Sequence, residues 1–389
     1  MTPAARIQAA IEILSADTAQ PLERQLKAWF RAHRFAGSSD RRAITERVYA
    51  SFRHRAHFAH RMASDGPRAL VIASLLADGE NPENYFTGGY GPPPLGDTER
   101  AAIAATSGPA PSFVEGEYPE WLEEELRRSF GARLPEEMRA FQARAPVDLR
   151  VNRLKAGRDE VLARLTADGF ECAPLEGLPD AIRCLPGAAL TSHSLFLSGA
   201  FEIQDAAAQT AVTLCEARPG MRVLDLAAGA GGKSLALAAA MENKGEIVAC
   251  DIREEALAEL DRRRERAGAA IIRTHLLGHP PEGPFDLVLL DVPCSGSGTW
   301  RRQPELKWRL TPERLTQLAA LQDRLLNQAA SLGANLVYAT CSVLMRENQD
   351  RVGAFLAAYP AFARLGPDFH ASPATTGTDG FYAARLHRA

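Results

Sequence analysis
Apolar positions in the first part of the chain recur three and four residues apart. Ile7, Ile11 and Leu14 mark one face with Ile13 beside it, and Leu26, Trp29 and Phe30 mark a second. A third follows an N-cap at Ser39, with Ile44, Val48, Tyr49 and Phe52. That spacing predicts amphipathic helices, so residues 1–75 read as an all-helical domain. Over 76–118 the periodicity stops. The stretch NPENYFTGGYGPPPLGDT, from Asn81 to Thr98, has the glycine and proline content of an irregular, poorly packed connector. Residues 119–200 combine helices over Pro119–Phe130 and Arg158–Asp168 with the strand-like pieces VDLRVNRL and AIRCL, which make a small α/β unit.

From 201 to 389 the pattern becomes regular. Strands are predicted at Arg222–Leu226, Glu246–Cys250, Ala270–Arg273, Phe285–Asp291, Asn335–Thr340 and Gly380–His387. Between them lie helices over Lys233–Met241 and Glu254–Ala267, one opened by Thr311 and Pro312, and one over Glu347–Ala358. Unbroken apolar runs such as FDLVLLD indicate strands buried on both faces. Their alternation with helices predicts a parallel sheet covered on both sides.

Composition narrows the classes. With 389 residues, 46% hydrophobic and 24% charged, the chain is expected to be a soluble protein with a substantial core. No apolar run is long enough to span a membrane, and the acidic residue within MTPAARIQAAIEIL argues against a signal peptide. The six cysteines never fall in a C-x-x-C pair, so neither a metal site nor a disulfide framework is expected, and the compartment reads as a reduced cytoplasm. Cys172, Cys184, Cys215 and Cys250 read as small buried hydrophobes. The net charge is −3, yet residues 20–70 hold eleven basic side chains against four acidic ones. Such a local excess is the footprint of a phosphate backbone, or of a solvated helical surface.

Ligands of open α/β sheets bind at the carboxyl ends of strands, and there the chemistry-bearing residues gather. Asp225-Leu226-Ala227-Ala228-Gly229-Ala230-Gly231-Gly232-Lys233 joins the first strand to its helix. Ala227 stands where a P-loop needs its first glycine, and Asp225 would repel a triphosphate. An acidic strand end instead suits a cation such as the sulfonium and amino group of S-adenosylmethionine (SAM). Asp251, closing the second strand, is placed to accept from a ribose diol. Asp291 closes the fourth strand, with Cys294 just beyond it, and Cys341 follows the fifth. A methyl donor, two thiols and a carboxylate suit methylation at a carbon without a lone pair, such as pyrimidine C5. Thiolate addition at C6 makes C5 nucleophilic, an acid assists at N3, and loss of the C5 proton expels the thiol. Chemistry alone leaves open which cysteine attacks.

DVPCSGSGT with RRQPELKW, and YATCSVLMRENQ, resemble the fourth and sixth motifs of the Sun/RsmB family of RNA (cytosine-5) methyltransferases. FEIQDAAAQ, DGFYAARL, VDLRVNRL and YPEWLEEEL are also similar to segments of that family. More loosely, SSDRRAITERVYASFRHR resembles the NusB-like domain of its ribosomal RNA members. The resemblance implies a Rossmann-like SAM-dependent methyltransferase fold, with a mostly parallel seven-stranded sheet and helices on both faces. It makes 1–75 a NusB-like RNA-binding domain, 119–200 an RNA-binding pre-catalytic subdomain and 201–389 the catalytic domain. It implies Cys341 as nucleophile, Cys294 as the thiol aiding release, Asp291 as contact to cofactor and base, and Lys307 near the base. Ala227 to Lys233 and Asp251 would hold SAM. The family's third-motif acid is replaced here by Arg273-Thr274-His275-Leu276, which leaves His275 or a surface role for it. The expected substrate is RNA, ribosomal RNA of the small subunit first, naked or in a precursor particle, and the expected state a monomer. Transfer RNA and a non-catalytic RNA-binding or ribosome-assembly role are the alternatives.

Overall fold
The computed structural model describes residues 1–16, 20–105, 108–278 and 281–388, which form two compact units. The first comprises Met1–Arg127, Ala132–Gln142 and Trp300–Arg309. It is helical, led by Pro3–Ser15, Leu22–Ala32, Ser38–Arg53, Arg55–Met62 and Pro67–Ala77. Ile7, Ile13, Leu22, Leu26, Ile44, Val48, Phe58 and Leu75 are buried together, as their spacing predicted. The third helix begins at Ser38 with Gly37 as its cap, two residues before the expected cap at Ser39. Asp40 accepts from the Gly37 N–H at 3.0 Å and so closes the first turn from inside the helix.

Two features of this unit depart from the sequence reading. Phe86 and Leu95, within the expected connector, are buried in the helical core, so that stretch is irregular in backbone but well packed. In addition, Trp300–Arg309 belongs to this unit. Trp300 packs against Phe141 with ring centroids 5.6 Å apart. The Trp308 indole donates to the Phe52 carbonyl at 2.6 Å, and Glu305 accepts from the Leu22 N–H at 3.2 Å.

The basic residues of 20–70 are partly committed inside the unit. Arg47 pairs with Asp78 and Glu80, Arg68 pairs with Glu99, and Arg61 donates to the carbonyls of Ala102 and Ile103. Arg53 donates to the carbonyls of Gln142 and Arg301. Arg24, Arg31, Arg34 and Arg42 are exposed.

The second unit carries two sheets. The smaller has β1 (Val147–Val151), β2 (Cys172–Pro174), β3 (Ala181–Cys184) and β4 (Phe201–Ile203), all antiparallel in the order β2-β3-β1-β4. Contrary to expectation, Cys172 and Cys184 are disulfide-bonded. They are direct cross-strand partners of β2 and β3 with Cα atoms 4.1 Å apart, and close cross-strand pairs bring side chains together on one face. Sequence spacing carries no sign of that register.

The larger sheet contains β5 (Arg222–Asp225), β6 (Glu246–Asp251), β7 (Ile272–Leu276), β8 (Leu287–Asp291), β9 (Asn335–Thr340), β10 (Phe362–Arg364), β11 (Phe369–Ala371) and β12 (Phe381–Arg388). Its order is β10-β12-β9-β8-β5-β6-β7, with β11 paired to β12. The strands from β7 to β9 run parallel, while β10, β11 and β12 are antiparallel additions. The sheet therefore has eight strands rather than seven. This is the Rossmann-like methyltransferase arrangement, with the order reversing between β5 and β8, where ligands of such sheets bind. Leu224, Val288, Leu290, Leu336 and Tyr338 form the core beneath that crevice. Among the described residues no helix is long and apolar enough to cross a membrane.

Candidate active site
The loop after β5 folds over the carboxyl end of the sheet. Gly231 takes a left-handed φ of 78°, and a Cβ there would lie 2.0 Å from Leu260 Cδ1, so only glycine fits. The Gly229 N–H donates to Asp251 Oδ2 at 2.9 Å, joining the loop to the end of β6. Asp225 is buried; its Oδ2 accepts from Ser234 Oγ at 2.6 Å, and among the described residues its Oδ1 has no hydrogen-bond partner. Burial pushes this carboxyl up to about 7, against the Ser234 hydrogen bond.

Between the loop and the ends of β6 and β8 lies a cavity of about 640 Å³, a size suited to a nucleoside-bearing ligand. Residues 226–230, Gly232, Lys233, Asp251 and Asp291 line it. Pro293, Leu277, Leu321 and Leu325 give it apolar walls. Asp251 accepts from the Arg253 N–H at 2.9 Å and from the Arg253 guanidinium at 3.1 and 3.2 Å. Burial opposes ionisation of Asp251, but Arg253 and the Gly229 N–H hold it below the usual carboxylate value. The Arg253 side chain is 60% exposed, so a ribose diol can take over its hydrogen bonds at little desolvation cost. A glycine cradle, a carboxylate reachable by a diol and apolar walls for a flat base fit SAM, whereas Asp225, expected to face the ligand, is fully buried beneath the loop and, like Gly231, does not line the cavity.

His275 is not brought to this cavity. The third strand runs to Leu276, further than the expected Ala270–Arg273, and places His275 opposite Cys250. Leu277 follows the strand end, donates its N–H to the Asp251 carbonyl at 2.9 Å and lines the wall. Sequence reasoning also missed Arg253, Gln204 and Arg314, which line the cavity but belong to no strand-end pattern.

The thiols sit beside it. Cys294 and Cys341, after β8 and β9, have sulfurs 3.4 Å apart. The hydrogen bond with Cys341, then burial, pushes the Cys294 thiol well above its ordinary value. Cys294 therefore keeps its proton at neutral pH and can donate it to the Cys341 sulfur. Asp291 is paired with Lys233, whose ammonium lies 5.1 Å from the Phe381 ring centroid. Burial works to lower the Lys233 ammonium, but Asp291, with Cys341 and Asp225, holds it above the usual lysine value. Lys307 belongs to the helical unit. There it is buried, donates to the Arg53 carbonyl at 3.4 Å, and is lowered by burial against the pull of Glu117.

Behind the thiols is a buried polar network. Glu347 Oε1 accepts from the Ser295 N–H at 2.8 Å and from Gln322 Nε2 at 3.1 Å. Its Oε2 accepts from the Ser295 and Ser342 hydroxyls, each at 2.5 Å. Gln322 also donates to the Pro293 carbonyl at 3.0 Å, and Ser297 Oγ lies 2.9 Å from Ser342 Oγ.

Comparison with known proteins places this geometry. Residues 212–387 match the family described as 16S rRNA methyltransferase RsmB/F, and residues 118–188 match the ferredoxin-like domain of RsmF/B-like methyltransferases. The chain is similar to ribosomal RNA small subunit methyltransferase B of Klebsiella pneumoniae, 34% identical over 283 residues, covering 69% of this chain and 65% of that protein. The protein of the same description from Thermus thermophilus is 40% identical over 208 residues, covering 48% and 49%. The chain thus spans between about half and two-thirds of the length of these relatives. Among solved structures, PH0851 superposes with a TM-score of 0.82 at 26% identity, covering 100% of this chain and 99% of that one. NSun6 from Pyrococcus horikoshii, solved with SFG, shares the fold at a TM-score of 0.63 and 19% identity, covering 69% and 98%. Residues 212–387 thus carry the match to the RsmB/F methyltransferases, and residues 118–188 the match to their ferredoxin-like domain.

Proposed function
We propose that this protein methylates C5 of a cytosine in RNA, with small-subunit ribosomal RNA as the substrate. The observation that carries the reading is the pair of sulfurs 3.4 Å apart beside a cavity that has Asp291 in its lining. Residues 227–230, Gly232, Lys233 and Asp251 would hold SAM, which when bound supplies an electrophilic methyl group. Cys341 adds as thiolate to C6 of the cytosine as N3 takes up a proton, and Asp291, its position kept by Lys233, contacts the base. The addition makes C5 the nucleophile that takes the methyl. Loss of the C5 proton to a base then expels the Cys341 sulfur. Cys294, which holds its proton, donates a hydrogen bond to the departing thiolate and eases release.

The exposed Arg24, Arg31, Arg34 and Arg42 of the helical unit are assigned to RNA phosphates. Tritiated SAM incubated with 16S ribosomal RNA should label 5-methylcytidine; label on a base nitrogen or a ribose instead would sink the reading. Cys341→Ala should capture no covalent adduct with 5-fluorocytidine RNA, while Cys294→Ala should accumulate the covalent adduct with unmodified RNA. Reversal of those two outcomes would make Cys294 the attacking thiol.

A further inference from the structure
We infer that Glu347 is a positioning residue whose single carboxylate fixes the distance between the two thiols. The inference rests on the proposed reading of Cys294 and Cys341 as working groups. Each cysteine is followed by a serine, and both serines converge on this one side chain. Ser295 donates to it twice, through its N–H at 2.8 Å and its hydroxyl at 2.5 Å. Ser342 donates through its hydroxyl at 2.5 Å. The fourth donor, Gln322, comes from the helix Pro312–Ala329 and also holds the Pro293 carbonyl, one residue before Cys294. All four acceptor positions of the carboxylate are therefore filled, and the group is fully buried.

Such an arrangement is costly to assemble for folding alone. A buried carboxylate is desolvated at a penalty that even good hydrogen bonds only partly offset. It places the Cys294 and Cys341 loops in one register while making no contact with the cavity, whose lining does not include Glu347. The two loops are also tied by the pairing of β8 with β9 and by the Gly298 N–H on the Cys341 carbonyl at 2.9 Å, but Glu347 holds the residue that follows each cysteine. Through Glu347 they share one reference point, and a displacement of about 1 Å at a reacting group can change a rate by orders of magnitude.

The test uses the full-length protein and reads the thiols directly. Diamide oxidises a neighbouring pair: the two thiols lose two protons and two electrons to its N=N bond and become a disulfide. The rate of Cys294–Cys341 pairing, followed by alkylation and mass spectrometry, therefore reports the sulfur separation without RNA. Glu347→Gln, which keeps one acceptor oxygen but offers an amide to the second serine, should slow pairing by roughly tenfold or more, with SAM affinity unchanged. Ser295→Ala and Ser342→Ala, which spare the carboxylate, should each slow it less. These two carry the test if Glu347→Gln fails to fold. Pairing at the wild-type rate in all variants that fold overturns the inference. A second reading separates positioning from general destabilisation: with unmodified RNA, Glu347→Gln should form adduct but release methylated product slowly, with KM for RNA little altered. If the wild-type protein captures no RNA while the diamide rates behave as expected, the methyltransfer reading fails and the role of Glu347 stands.

Discussion
Asp225 shows how single residues bear on this site. Burial raises its carboxyl to about 7, above its unfolded value, so its ionisation is disfavoured in the fold. The stability it contributes is full below the unfolded value near 4 and is lost as pH rises through 7. Asp225→Asn keeps a group that Ser234 can bond and does not titrate. Without ligand, the melting temperature of the variant should gain on the wild type between pH 5 and pH 8, by the equivalent of roughly 2–3 kcal/mol. An equal gap at both pH values would show that the carboxyl is not held neutral. Asp225 was legible from sequence because a strand-closing acid before a glycine turn is a local pattern. The partners of His275 were not. Which residue of β7 faces which of β6 is decided by cross-strand pairing, and a shift of a few residues moved His275 into the strand and Leu277 to the cavity wall.

Among elements, those with local signals were read well. The helix Pro312–Ala329 has Thr311 Oγ accepting from the Arg314 N–H at 3.2 Å and Pro312 at its first position, and both features stand in the sequence. β8 and β9 are long apolar runs and emerged as expected. The stretch around Phe86 and Leu95 was misread because its burial comes from partners elsewhere, which its glycines and prolines conceal. The cysteine loops show the same limit: their glycines suggested a turn but not its closeness to β12. A Cβ at Gly298 would lie 1.9 Å from the Gly380 carbonyl oxygen. Moreover, the Gly298 N–H donates to the Cys341 carbonyl at 2.9 Å, and the Gly380 N–H to the Gly298 carbonyl at 2.8 Å. Gly298→Ala must push these three segments apart. A loss of about 1–3 kcal/mol or more is expected, read as a lower urea midpoint. An unchanged midpoint would mean that the loops yield without strain.

Over the whole molecule, summed charge proves a poor guide until its partners are known. Residues 20–70 looked strongly basic, but Arg47, Arg53, Arg61 and Arg68 spend their donors within the helical unit. The side chains left for a phosphate backbone are fewer and lie at the surface. Replacing Arg24, Arg31 and Arg34 by Glu should weaken RNA binding and flatten its salt dependence, by roughly one phosphate contact per charge removed. If affinity and salt slope both stay at wild-type values, RNA docks elsewhere. Arg53→Glu, by contrast, should report on folding.

The assignment of Trp300–Arg309 to the helical unit has a consequence for biosynthesis. A ribosome delivers this unit almost whole, then makes most of the other unit before it supplies the piece that carries Trp300, Glu305 and Trp308. Until then Leu22 lacks the Glu305 acceptor and Phe52 its indole donor. At about 5–20 residues per second, the nascent N-terminal part waits on the order of ten seconds for its last segment. The chain is thus built so that neither unit is complete before the Cys294 loop has been made.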